Sequence, residues 1–80
     1  MLVRKTLGDL KIGDKAKVVS YKNEELSVRL IEMGCVPGCE VKMKHKAPLG
    51  GPMCFCINGN NLSIGKEEAS LVDVETNSNA

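Results

Sequence analysis

Aromatic side chains are almost missing from this sequence. The 80-residue chain has no tryptophan, a single tyrosine (Tyr21) and a single phenylalanine (Phe55). That excludes a base-stacking platform for single-stranded nucleic acid and an aromatic-lined groove for proline-rich peptides. An excess of one charge is missing too: 11 Lys+Arg stand against 10 Asp+Glu, for a net charge of +1. A generic nucleic-acid binder needs a net basic surface to displace counterions from phosphates, so no nucleic-acid partner is expected. Long apolar runs are absent as well. The longest is Met53-Cys54-Phe55-Cys56-Ile57, whereas a bilayer-crossing helix takes about 20 such residues. Arg4 and Lys5 are not followed by the apolar stretch of a signal peptide. The expected location is cytoplasmic, without insertion into a membrane.

Catalytic chemistry is also thin. His45 is the lone histidine, and no Ser, Asp or Glu is tied to it by a recognisable triad spacing. There is no phosphate-binding glycine loop ending in Lys-Ser/Thr, and Pro52 after Gly50-Gly51 removes a backbone donor that a phosphate nest would use. The chain is not expected to be an enzyme.

What is present is one small domain. The length allows a single core, and a domain of this size buries only roughly 60% of its unfolded surface. The hydrophobic fraction of 42% is too high for a disordered chain. Leu7 and Leu10 flank a short turn at 6–10. Ala16, Val18 and Ser20 alternate with Lys15, Lys17 and Val19, predicting a strand over 15–21. Asn23 is a good N-cap followed by Glu24 and Glu25, and Leu26, Leu30 and Met33 follow at helical spacing with Ile31 beside them. Gly34 is a natural stop, so a helix is predicted over 24–33.

After the Pro37-Gly38 turn, Cys39, Val41, Met43 and His45 share one phase of a strand. Glu40, Lys42, Lys44 and Lys46 share the other. His45 therefore reads as a partly buried core residue. Ala47-Pro48-Leu49-Gly50-Gly51-Pro52 is a rigid loop. Met53, Phe55 and Ile57 form the inner face of the next strand, with Cys54 and Cys56 outside. Asn58-Gly59-Asn60 makes a tight hairpin, returning through Leu62 and Ile64. Lys66-Glu67-Glu68-Ala69 makes a helical turn before a closing strand at 71–75. The domain is expected over 1–75, with a flexible polar tail at 76–80. The fold class is mainly β: a small, bent antiparallel barrel of about five strands with one inserted helix.

The four cysteines offer the sharpest local chemistry. Zn–S bonds of about 2.3 Å in a tetrahedron bring sulfurs to roughly 3.8 Å of one another. Cys39 faces the core whereas Cys54 and Cys56 face out, so one ion held by all four thiols conflicts with the strand phases. A Zn or Fe(II) ion at Cys54 and Cys56, completed by His45 or by a second molecule, remains open. The alternative is that Cys35 and Cys39 pack as small hydrophobes and Cys54 and Cys56 are surface thiols. No cofactor is required on either reading. Lys15, Lys17, Lys42, Lys44 and Lys46 form either a solvated strand face or a docking surface for an acidic partner.

The order of motifs resembles a known family. Leu10-Lys11-Ile12-Gly13-Asp14 comes first, then Arg29-Leu30-Ile31-Glu32-Met33-Gly34 and Val36-Pro37-Gly38-Cys39-Glu40-Val41. Ala47-Pro48-Leu49-Gly50-Gly51-Pro52, Gly59 and Lys66-Glu67-Glu68-Ala69 follow. Over about residues 7–75 this is similar to FeoA, the small cytosolic component of bacterial ferrous iron uptake. The resemblance implies an SH3-like barrel and a non-enzymatic regulatory role beside FeoB, a membrane permease with a cytosolic GTP-binding region. It implies docking on that permease, and the chain is expected to be a monomer or weak homo-oligomer. Val36, Pro37, Pro48, Leu49 and Met53, with Lys42 and Lys44, are the expected docking residues, because a tiny core leaves such apolar loop positions uncovered. Gly51 stands where the family often has Asp, and Cys54 and Cys56 stand where it usually has charged or polar residues.

Overall fold

The computed structural model describes residues 1–77. Six strands form one antiparallel sheet in the order β1-β6-β2-β3-β4-β5. They are β1 (Leu2–Thr6), β2 (Lys15–Tyr21), β3 (Glu40–Lys46), β4 (Met53–Ile57), β5 (Asn60–Ile64) and β6 (Val72–Asn77). Helix α1 (Glu24–Glu32) lies between β2 and β3, and the single turn α2 (Lys66–Ala69) precedes β6. A 3-10 turn at Leu7–Asp9 follows β1. The sheet wraps one core built from Leu7, Leu10, Val18, Val41, Met43, Phe55, Val72 and Val74, all essentially without solvent contact.

The helix begins and ends where its local chemistry dictates. Asn23 Oδ1 accepts from the Leu26 N–H at 3.1 Å, a cap worth about 1 kcal/mol. At the other end Gly34 takes a φ of 95°. The Cys35 N–H donates to the Leu30 carbonyl at 2.8 Å and the Gly34 N–H to Ile31 at 3.0 Å, which is the paired closure of a Schellman motif. Met33 is thereby the C-cap, outside the helix proper. Leu26 and Leu30 enter the core, but Met33 and Ile31 do not: they are 49% and 45% exposed. The expected apolar stripe is thus only half inward.

Two bulges redirect strands whose alternation the sequence extends too far. Between β2 and β6 the register slips at Val19, so Ser20 turns outward and Tyr21 inward. Between β3 and β4 Met43 faces Phe55, but His45, not Lys44, faces Cys54. The extra residue reverses the phase. His45 is therefore exposed, not a core residue, and Lys46 leaves the outer face shared by Lys42. The strand count also rises from about five to six. β1 pairs along its whole length with β6, from Leu2↔Asn77 to Thr6↔Asp73. The closing strand consequently continues through Thr76 and Asn77, which the sequence reading placed in the tail; residues 78–80 lie outside the described part. β1 and β5 end the sheet without pairing to each other.

The turn after β1 is pinned by Asp9, whose Oδ2 accepts from the Thr6 N–H at 3.0 Å and the Thr6 hydroxyl at 3.1 Å. The Thr6 backbone bond lowers the Asp9 pKa; slight burial opposes it, and Lys5 and Lys46 add to the lowering. A carboxylate with a depressed folded pKa contributes stability above its unfolded pKa of about 3.9, and that contribution is lost as pH falls through the folded value. Asp9→Asn is therefore expected to lower the urea midpoint at pH 7 and to flatten its decline below about pH 4. An acid limb of unchanged steepness would refute this role.

Candidate functional site

The residues expected to dock a partner fall in different environments. Pro48 and Leu49 cap the loop between β3 and β4. The loop is closed by Ala47 N–H to the Pro52 carbonyl at 3.0 Å and Gly51 N–H to Pro48 at 3.2 Å. Leu49 is 103% exposed and sits at φ 60°, a left-handed conformation that a leucine rarely adopts. Gly51 is fixed by space: a Cβ there would meet the Ala47 Cβ at 2.8 Å. A side chain at this position does not fit the loop without a shift. Val36 and Pro37 are exposed beside the end of α1. Met53 is buried in phase with Phe55 and Ile57, so it belongs to the core and not to an exposed surface. Lys44 is exposed on the bulge and Lys42 is half-buried on the outer face.

Sequence reasoning missed the back of the helix. Val28 is 56% exposed. With 100° between successive residues, Val28 and Ile31 lie on the side of α1 opposite Leu26 and Leu30. The outer side of the helix thus carries two apolar side chains that the domain leaves uncovered, set among Glu24 and Glu32. The signal was present in the helical wheel, where Ile31 falls well away from the Leu26–Leu30 stripe.

The cysteines divide as the strand phases imply. Cys35 and Cys39 are buried, whereas Cys54 and Cys56 are half-buried on the outer face of β4. Burial raises the Cys35 thiol pKa, the Tyr21 hydrogen bond opposing it. The Tyr21 hydroxyl donates to the Cys35 carbonyl and ties β2 to the chain leaving α1. Burial is also the leading cause that pushes the Tyr21 pKa up. The β3 bulge brings His45 opposite Cys54 on the face that also carries Cys56. Even so, among the described residues no group of three or more His, Cys, Asp or Glu side chains is arranged to hold a metal ion.

Charges on the sheet are ordered. Arg4, Glu75, Lys17 and Glu40 lie in one cross-strand row of alternating sign, with Arg4 Nε 3.5 Å from Glu75 Oε1. In the neighbouring row Lys15 faces Lys42, which faces Cys56. No helix among the described residues is long and apolar enough to cross a membrane.

A six-stranded antiparallel sheet bent around a thin core, with one inserted helix, is an SH3-like fold. The FeoA domain family matches residues 5–76, and the chain belongs to that family. FeoA-family members are non-enzymatic accessory proteins of ferrous iron transport. The solution structure of FeoA from Chlorobium tepidum superimposes with a TM-score of 0.85 at 33% identity, covering 94% of this chain and 72% of that one. FeoA from Stenotrophomonas maltophilia, an SH3-domain protein complexed with zinc, gives 0.75 at 32% identity, covering 86% and 87%. A relative from Porphyromonas gingivalis, a fusion of Fe(2+) transport protein A with the Fe(2+) transporter FeoB, is 34% identical over 70 residues. That match covers 86% of this chain but 8% of the fusion protein.

Proposed function

We propose that this chain is a cytoplasmic regulatory subunit that binds the cytosolic GTP-binding region of a FeoB-type ferrous iron permease. The observation that carries this reading is the set of uncovered apolar side chains, Val28 and Ile31 on the helix and Leu49 on its loop. Apolar side chains held out to solvent are what a protein interface buries. The strained φ of Leu49 adds to this, because strain persists at positions that serve binding. The Porphyromonas gingivalis fusion supports the choice of partner, since there the two components share one chain. Lys42 and Lys44 supply a rim for acidic groups on the permease.

The test is direct binding of the chain to the permease's isolated cytosolic region, measured by calorimetry with GDP and with a GTP analogue. Binding in at least one nucleotide state is expected. No heat and no co-elution in either state would overturn the reading. A metal-sensing function through Cys54, Cys56 and His45 is favoured by their shared face and by the zinc complex of the Stenotrophomonas maltophilia relative, but the proposed role needs no metal.

A further inference from the structure

Lys15 and Lys42 stand directly opposite each other on β2 and β3. Like charges so placed repel, and neither lysine has a salt-bridge partner among the described residues. The row beside it shows that the sheet can neutralise such charges, because there Arg4, Glu75, Lys17 and Glu40 alternate. Next to the unneutralised pair lies a thiol: Cys56 is directly opposite Lys42 across β3 and β4. A cavity of about 330 Å³ opens at this point, and its walls include Lys15, Lys42, Cys56, Asn58, Gly59 and Glu40. Glu40 lies opposite Lys17 in the next row but has no salt bridge to any lysine among the described residues, so the cavity wall holds two cations and one carboxylate beside the uncharged hairpin. Cys54 is not in these walls; it faces His45 and Ser63. Cys35 and Cys39 are buried.

A half-buried thiol, a cavity beside it and an excess of cations over carboxylates in its wall together form a place for an anionic ligand that reacts with sulfur. We propose that Cys56 is a modification site, at which the chain forms a mixed disulfide with a carboxylate-bearing low-molecular-weight disulfide of the glutathione type. Cys56 Sγ, having released its proton to water, attacks one sulfur of the ligand. A new S–S bond forms to Cys56, the ligand's own S–S bond breaks, and the departing thiolate takes up a proton. The Cys56 sulfur is oxidised and one ligand sulfur is reduced, so no further oxidant is consumed. Lys15 and Lys42 hold the ligand's carboxylates and raise its local concentration.

The experiment follows adduct formation on the intact chain by mass spectrometry, using oxidised glutathione and, separately, the uncharged dithiodipyridine. Peptide mapping is expected to place the glutathione adduct on Cys56. Cys54→Ser keeps it and Cys56→Ser abolishes it. The double variant Lys15→Gln/Lys42→Gln, its fold checked by circular dichroism, is expected to react about tenfold more slowly with oxidised glutathione, the gap narrowing at high salt. Its rate with dithiodipyridine should stay unchanged. No glutathione adduct, an adduct chiefly on Cys54, or equal glutathione rates with and without the lysines would overturn the proposal. So would an equal slowing with both reagents.

Discussion

Phe55→Ala is expected to leave the domain at or beyond the edge of unfolding. Phe55 has no solvent exposure and sits in the middle of β4, facing Met43 on β3 and Leu62 on β5. It is the chain's sole phenylalanine, and the one other aromatic ring, Tyr21, is tied to the Cys35 carbonyl at the edge of the core. Truncating a buried Phe costs about 3–5 kcal/mol, through lost transfer energy and the cavity left behind. Total stability for such domains is about 5–15 kcal/mol, and a small core falls at the lower end. Urea denaturation followed by circular dichroism is the measurement, because tryptophan fluorescence is unavailable to this sequence. Most of the folding free energy should disappear, while Phe55→Leu, which keeps much of the volume, should still unfold cooperatively. An unchanged midpoint for the alanine variant would show that β4 does not carry the core.

The opposite pattern is expected for Val28→Glu/Ile31→Glu. These side chains contact solvent on the outer side of α1, and glutamate is a better helix former than either β-branched residue. Glu24, Glu25 and Glu32 stand three or four residues from position 28, and each such like-charge pair costs about 0.2–0.5 kcal/mol, so the urea midpoint should fall only slightly and recover at high salt. Binding to the permease's cytosolic region should weaken about a hundredfold, or about 2.7 kcal/mol, the scale of an interface anchor replaced by a charge. Glu25→Gln on the same helix is the control and should bind normally. If the double variant bound as tightly as the parent chain, the helix face would be excluded as the docking surface.

The elements that the sequence predicts correctly are those whose cause is local. Asn23 and Gly34 fix the ends of α1 through hydrogen bonds within a few residues. Asn58 and Gly59 both take positive φ and so form the hairpin between β4 and β5. Met53, Phe55 and Ile57 alternate without interruption and all face inward. What fails depends on distant partners. β1 carries no fully buried residue and owes its existence to β6 at the other end of the chain. The slips at Val19 and Lys44 are set by β6 and β4 and leave no mark in strands that alternate on either side. His45 and Met53 were misplaced for different reasons. The first lies beyond a bulge. The second was assigned to a surface by its neighbourhood to Pro48 and Leu49, although its own strand phase pointed inward.

The bulge on β3 also separates two halves of one strand that answer to different parts of the domain. Before Lys44 the strand keeps step with β2; after it, the strand keeps step with β4 alone. Lys44 is the inserted residue: Met43 before it keeps step with Phe55, and His45 after it keeps step with Cys54. Deleting Lys44 would leave His45 outward and Lys46 opposite Met53 in a regular ladder, whereas a strand that paired Lys44 with Cys54 would turn His45 toward the core. The outward face of His45 is thus held by a residue that has no partner of its own on β4.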